Sequence, residues 1–143
     1  MGSIVFNYHN ITPPLKNKLL VKSAIARVFT EEKVPFKSLA YIFCTDEFLL
    51  KLNQEYLNHD TLTDILTFSL EGSSLPVVAE IYISMDRVEE NAARLSVPII
   101  TELHRVMIHG VLHLCGYEDH TPTQKTLMRR KEDYYLTFFL CST

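Results

Sequence analysis

Two histidines four residues apart occupy the stretch that most constrains this sequence, residues 106–120, which reads V-M-I-H-G-V-L-H-L-C-G-Y-E-D-H. His109 and His113 belong to an apolar run, so on an α-helix they share one face and lie one turn apart. Gly116 then offers a helix stop in the left-handed conformation, from which the chain turns back on itself. The pattern predicts two imidazoles on a rigid helix, followed by a short return.

A third donor arrives at once, because Asp119 and His120 directly follow that turn. Two imidazoles and a third ligand leave one position of a tetrahedral metal site open, which is typical of catalytic zinc. The ordinary alternatives are histidines satisfied within the core and a turn aspartate bonded to its own backbone. A buried imidazole needs partners for its nitrogens, and a metal supplies one for each ring. We therefore favour a metal site.

The residue after the first histidine argues against one class of metalloenzyme. Metalloproteases of this layout carry a glutamate there as general base. Here the position is Gly110. Peptide hydrolysis by that route is therefore disfavoured.

The stretch H-G-V-L-H-L-C-G-Y-E-D-H resembles the signature H-G-x-L-H-L-x-G-Y-D-H of the YbeY family, bacterial metal-dependent endoribonucleases that act on ribosomal RNA. In register and without a gap, the three zinc-binding histidines of the family fall on His109, His113 and Asp119. A slip of one residue would present His120 instead. We favour Asp119 because it keeps the length of the turn, and because a carboxylate is an accepted zinc ligand.

The resemblance continues upstream over about two thirds of the chain. Similar segments are N-Q-E-Y at 53–56, T-D-I-L-T-F at 63–68, A-E-I-Y-I-S at 79–84 and E-L at 102–103. Two residues depart from the family pattern: Leu57 replaces an arginine thought to hold the phosphate, and Glu80 replaces a strand aspartate. His59 is a candidate to stand in for that arginine.

The resemblance implies a zinc-dependent endoribonuclease that acts in maturation of the 3′ end of 16S ribosomal RNA and in ribosome quality control. One Zn²⁺ per chain would sit on His109, His113 and Asp119, so that His109 belongs to the catalytic centre. The motif places no general base, and Asp64 and His59 are the candidates. The implied partners are RNA, above all ribosomal RNA, and the small ribosomal subunit.

Two other functional classes stay open at this point. One is a ribosome-associated RNA-binding factor with a structural metal and no significant cleavage. The other is a hydrolase of another substrate, peptides included.

Composition sets the remaining bounds. The 143 residues, 47% hydrophobic and 22% charged, predict one globular domain over 1–143. We expect no membrane span and no signal peptide. Three widely spaced cysteines, Cys44, Cys115 and Cys141, predict reduced thiols in a cytoplasmic protein.

Charge is distributed unevenly around a net value of −3. The chain before Asp46 has six Lys and Arg against two acidic residues, whereas the remainder is acidic. Lys16, Lys18, Lys22 and Arg27 form a patch that permits contact with phosphates, although a solvated helix face is the commoner explanation.

Hydrophobic periodicity predicts the order strand, helix, strand, helix, two strands and three helices. The predicted strands cover 4–8, 39–45, 64–70 and 77–84. The predicted helices run from Pro13 to about 30, from Asp46, over 85–95 and 99–115, and from Pro122 to about 139. This order indicates an α+β fold. The resemblance implies a small four-stranded mixed sheet with about five helices, the metal-bearing helix being central.

Overall fold

A four-stranded mixed sheet carries the helices of this protein. The computed structural model describes residues 2–57, 63–70 and 75–139. The strands are β1 (Ser3–Tyr8), β2 (Phe36–Cys44), β3 (Ile65–Ser69) and β4 (Val77–Ser84). They lie in the order β1-β2-β4-β3, with β1 and β4 parallel to β2, and β3 antiparallel to β4. The predicted α+β class and mixed sheet are confirmed.

Five α-helices are present in the described residues, as predicted. They are α1 (Lys18–Glu32), α2 (Asp46–Leu57), α3 (Met85–Leu95), α4 (Ile99–Leu114) and α5 (Pro122–Leu136), the last followed by a 3-10 helix at Thr137–Phe139. None of the helices in these segments is long and apolar enough to cross a membrane.

The prediction that the first helix opens at Pro13 is wrong. Helix α1 begins five residues later, at Lys18, after Asn17 in the left-handed conformation (φ 50°). The Asn17 side chain accepts a hydrogen bond from the Leu20 backbone N–H at 3.3 Å. This cap supplies the start signal, because the first backbone N–H groups of a helix lack intrahelical partners.

Alternate residues of each strand point to opposite faces of the sheet. One face carries the main core, including Leu39, Tyr41, Phe43, Ile81 and Ile83, against α1, α3 and α4. The other face carries a smaller cluster of Cys44, Leu49 and Leu66, to which α2 contributes. The sheet therefore lies between α2 and the remaining helices.

Helix α4 occupies the centre of the helical layer, as its apolar sequence predicts. It contacts α1, α3, α5, β3 and β4. The buried Tyr41 hydroxyl on β2 donates a hydrogen bond to the Met107 carbonyl at 2.8 Å, which joins α4 to the sheet. The element that carries both histidines is thus fixed from several sides.

Ser84 ends β4 and caps α3, as predicted. Its Oγ accepts from the Arg87 backbone N–H at 3.3 Å and donates to Asp46 Oδ1 at 2.7 Å. The Arg87 guanidinium contacts both oxygens of Asp46, at 3.1 and 3.0 Å. These bonds tie the start of α2 to the start of α3.

Two of the three cysteines lie in the described residues. Cys44 and Cys115 are free thiols, and burial raises the pKa of each to about 12. Cys141 lies outside the described residues.

Candidate metal centre

The two histidines face each other on α4. The Nε2 atoms of His109 and His113 lie 2.9 Å apart, and the ring centroids are 4.5 Å apart. Both side chains are only partly buried, with 23% and 31% exposed. The spacing of four residues therefore gives the shared face that the sequence predicts, and that face opens towards solvent.

The other ring nitrogen of each histidine has its own partner. His109 Nδ1 lies 2.6 Å from Glu132 Oε2 on α5, and His113 Nδ1 lies 2.9 Å from the Tyr117 carbonyl oxygen. Because a carbonyl and a carboxylate only accept, each Nδ1 carries the proton, and both Nε2 lone pairs point at one another. Two lone pairs at 2.9 Å repel unless a cation or a shared proton lies between them. This donor set fits a zinc ion, whose histidine ligands commonly donate the other N–H to a carboxylate or carbonyl.

Asp119 completes the group. Its Oδ2 lies 3.3 Å from His109 Nε2 and 3.7 Å from His113 Nε2, and donor atoms of the three side chains all lie within 4.8 Å of one another. The turn that returns it begins at Gly116, whose φ of 101° is the left-handed stop predicted from the sequence. His120 is exposed, and its backbone N–H donates to Gln124 Oε1 at 2.9 Å. The structure therefore brings Asp119, not the His120 side chain, to the histidine pair.

Glu132 is buried, with 6% of its side chain exposed, and it is held by more than His109. Arg105 Nη1 contacts Glu132 Oε1 at 3.0 Å, while Arg105 Nη2 contacts Asp133 Oδ1 at 2.8 Å. Burial works against a charged His109, but the hydrogen bond and charge of Glu132, with Asp119 and Asp64, outweigh it and raise the His109 pKa. A metal at Nε2 competes with that proton.

Asp64 lies at the start of β3, close enough for its charge to interact with those of His109, Asp119 and Glu132. Burial raises its pKa, an effect that the charge of His109 opposes and the two nearby carboxylates reinforce. Glu102 is also buried beside this group, and burial, then the charge of Asp64, raise its pKa. His59 lies outside the described residues. A role for Asp64 in catalysis stays a prediction.

Gly110 is buried under the sheet. A Cβ at this position would lie 2.9 Å from the Cδ1 atoms of both Ile65 and Ile81. A glutamate at this position would face the sheet and has no space there. The geometry thus agrees with the sequence argument against a metalloprotease-type base.

The basic patch of the N-terminal region lies on other elements than the candidate ligands. Lys18 and Lys22 sit over the rings of Tyr8 and Phe6, at 5.0 and 5.2 Å from the ring centroids. Arg27 Nε contacts Glu31 at 2.7 Å. These contacts favour the explanation that the patch is a solvated face of β1 and α1.

Sequence reasoning missed the residues that orient the histidines. Glu132 shares a buried stripe of α5 with Met128 and Tyr135. A carboxylate within an apolar stripe of a helix needs a buried partner. The position of Glu132 in such a stripe is the sequence signal that could have identified it. Arg105 and the Tyr117 carbonyl carry no comparable signal, because their roles depend on how α5 and the turn pack.

Comparisons with known proteins identify the family of this chain. A sequence model of the family described as endoribonuclease YbeY matches residues 7–139. A protein of that name from Flavobacterium psychrophilum is 44% identical over 95% of this chain and 96% of its own length. Another, from Amoebophilus asiaticus, is 42% identical over 94% of this chain and 92% of its own.

A solved structure of a Thermotoga maritima protein has the same fold, with a TM-score of 0.64 at 27% identity, covering 96% of this chain and 88% of that one. The family match spans all the candidate ligands. By sequence and by fold, this chain belongs to the endoribonuclease YbeY family.

Proposed function

We propose that this protein is a zinc-dependent endoribonuclease that cleaves ribosomal RNA, with His109, His113 and Asp119 holding one Zn²⁺ per chain. The observation that carries the proposal is the pair of Nε2 atoms 2.9 Å apart, with both Nδ1 atoms already bonded and Asp119 Oδ2 within 3.7 Å of each Nε2. Membership of a family named for endoribonuclease activity supports the reaction class. The whole of 1–143 is proposed to act as one domain.

The side chains at the site have two separate roles: some orient the metal ligands, and another accepts a proton. When bound, zinc lowers the pKa of a coordinated water and stabilises charge that develops on a phosphoryl oxygen. Glu132 and the Tyr117 carbonyl keep each imidazole oriented with Nε2 outward. Asp64, whose pKa is raised mainly by burial, is the candidate to accept a proton from the attacking oxygen.

The test of the ligand set compares zinc content by elemental mass spectrometry in the wild type, Asp119→Ala and His120→Ala. We expect zinc near one per chain, lost with Asp119→Ala and kept with His120→Ala. Loss only in His120→Ala would show that the turn has slipped by one residue in solution. A folded wild type without metal would overturn the site.

The test of the reaction uses His109→Ala. If metal is catalytic, this variant should keep its fold by circular dichroism and keep RNA binding, but lose cleavage of ribosomal RNA. Unchanged cleavage without zinc would contradict a catalytic role of the metal. A zinc-loaded wild type that binds RNA without cleaving it would favour the alternative of an RNA-binding factor in which metal is structural. A peptide substrate cleaved by the zinc-loaded protein would favour the other alternative.

Two finer parts of the proposal concern cellular context. We infer the small ribosomal subunit as the partner, in maturation of the 3′ end of 16S ribosomal RNA, and a cytoplasmic location that fits the free Cys44 and Cys115 thiols. Cosedimentation of the protein with isolated small subunits checks the first. If the protein stays in separate fractions while the subunits sediment, that result would contradict the proposed partner.

A further inference from the structure

Cations on α5 line the same cavity as the candidate ligands. The cavity has a volume of about 550 Å³ and is lined by His109 and Asp119 together with Lys125, Arg129 and other residues of α5. Lys125 and Arg129 are exposed and four residues apart, so both lie on the face of α5 that borders the cavity. Their positive charges therefore stand at the rim of the metal centre.

The positive charges of Lys125 and Arg129 are only weakly compensated by carboxylates in the described residues. Among the described residues, no carboxylate forms an ion pair with Lys125, and the closest ion pair of Arg129 is a long one, 3.9 Å to Glu132 Oε1. Arg105 already contacts Glu132 at 3.0 Å and is itself only 18% exposed. The Arg129 side chain is 58% exposed. Lys125 pairs with no buried group in the described segments, and the contact of Arg129 with buried Glu132 is secondary to that of Arg105.

The surroundings explain what such cations would do. Asp64 and Asp119 place negative charge at the site, which opposes the approach of a phosphodiester, whereas Glu132 and Asp133 are already paired with Arg105. Exposed cations at the rim offset that repulsion where the substrate enters. A guanidinium grips a phosphate through two parallel N–H bonds, and an ammonium adds a point charge.

We propose that Lys125 and Arg129 form a phosphate-binding subsite that holds the RNA backbone beside the scissile bond. The two positions are separated by one helical turn, a rise of about 6 Å along α5 at 1.5 Å per residue. The backbone would thus run along α5, with one phosphate on each cation, and enter the metal centre past Asp119. This inference rests on the proposed function and adds the residues that position its substrate.

The experiment measures binding of a 2′-O-methyl oligoribonucleotide, confirmed by gel to stay intact during the measurement, to zinc-loaded protein by fluorescence anisotropy over a range of salt concentrations. The variants are Lys125→Gln, Arg129→Gln and the double variant. The matched controls are Lys51→Gln and Arg94→Gln, which remove the same charges from exposed positions on α2 and α3. Zinc content and thermal unfolding are measured for each.

Each subsite variant should bind about three- to tenfold more weakly than its control. The log–log salt slope should fall by about 0.7 for each phosphate of the single strand that the variant no longer neutralises. Zinc content should stay at the wild-type level. Single-turnover cleavage should be restored at saturating RNA, since the residues act in positioning the substrate.

Salt slopes equal to those of the controls would overturn the subsite while leaving the proposed function intact, provided that the wild type cleaves RNA. Loss of zinc in Arg129→Gln would also overturn it, because Arg129 would then act through Glu132. A zinc-loaded wild type that neither binds nor cleaves RNA would refute the proposed function itself.

Discussion

Glu132 is the residue on which the candidate metal centre most depends outside the ligands themselves. It is a buried carboxylate that accepts from His109 Nδ1 and is neutralised by Arg105. Partners of this kind fix the tautomer and raise the basicity of a histidine ligand. We expect their loss to affect metal affinity more than the fold.

Glu132→Gln should weaken zinc binding about 10- to 100-fold, as measured by competition with a chromophoric chelator. The amide keeps the shape of the side chain but removes its charge. Asp133→Asn is the matched control, because Asp133 also contacts Arg105 but is exposed and makes no contact with His109. Equal affinities in the two variants would contradict the role assigned to Glu132.

His104 is a second residue with a measurable consequence. Its ring packs 4.5 Å from that of Phe139, and its Nε2 has no hydrogen-bond partner among the described residues. Burial lowers its pKa from 6.5 to about 4. The unfolded chain therefore takes up a proton near pH 6.5 while the native state does not, so the free energy of unfolding falls between pH 6.5 and 4.

His104→Phe keeps an aromatic ring and removes this titration. Relative to the wild type, the variant should gain stability steadily as the pH falls from 6.5 to 4, with no such gain above pH 6.5. Urea unfolding at a series of pH values measures the difference. A constant difference across that range would show that His104 is not held neutral.

The shared face of His109 and His113 could be predicted because their spacing of four residues is read directly from the sequence. The choice of Asp119 over His120 needed the family register, since both residues follow the turn. Glu132 was not predicted, because its contact with His109 joins two helices whose packing no local pattern specifies.

At the scale of secondary-structure elements, the N-terminus of α5 is the clearest example of a helix start fixed by side chains. Thr121 and Gln124 form a reciprocal capping box: Thr121 Oγ1 accepts from the Gln124 N–H at 3.1 Å, and Gln124 Oε1 accepts from the Thr121 N–H at 3.0 Å. The cap follows Asp119 by two residues, so it also fixes where the turn ends.

Thr121→Ala should lower the free energy of unfolding by about 1 kcal/mol, through loss of the cap. Thr126→Ala on the same helix is the control; its hydroxyl donates only to the exposed Pro122 carbonyl, so we expect little change. Chemical denaturation of both variants makes the comparison. Similar losses would mean that the capping box does not determine the stability of α5.

Element bounds were predictable where a side chain marks them. β4 and α3 have the expected bounds because Ser84 ends one and caps the other. The first helix was misplaced because Pro13 and Pro14 look like a helix start, whereas the actual signal, Asn17 with positive φ, depends on a conformation that asparagine only sometimes adopts.

Across the whole molecule, Glu32 joins three parts that are distant in sequence. It ends α1 and accepts hydrogen bonds from Tyr117 in the turn after α4 at 2.6 Å, from Lys131 of α5 at 3.0 Å, and from Tyr135 of α5. Burial works against its charge, but these three donors outweigh burial and lower the Glu32 pKa. Tyr117 also holds His113, so the network reaches the candidate metal centre.

Glu32→Gln should lower the free energy of unfolding at pH 7 by about 2 kcal/mol, typical of hydrogen bonds to a charged group. Because the native pKa is depressed, this stabilisation is present above the ordinary pKa of 4.5 and disappears as the pH falls through the lower native value. The variant and the wild type should therefore converge in acid.

Chemical denaturation at pH 7 and at acidic pH tests this pH dependence. The variants compared are Glu32→Gln and Glu31→Gln, which changes the neighbouring residue. Glu31 pairs with Arg27 and Tyr134 on the exposed surface, so its variant should lose much less. A deficit in Glu32→Gln that persists unchanged in acid would contradict the charge-based explanation.

The class of the fold was predictable from element order, but the strand order β1-β2-β4-β3 was not. It depends on which strands pair, and the apolar residues of β1, β2 and β4 would satisfy several arrangements. The network around Glu32 escaped prediction for the same reason, since its members come from α1, the turn and α5.

All three candidate ligands lie between His109 and Asp119, in one helix and the turn that follows it. Closing so short a loop costs little chain entropy, so we expect the triad to require only α4 and its turn, and no pairing of distant strands. The same locality gives the unfolded chain some affinity for metal, which limits how far metal raises the stability of the native state. Zinc added during refolding would thus affect the order in which parts of the chain fold as much as the stability of the native state.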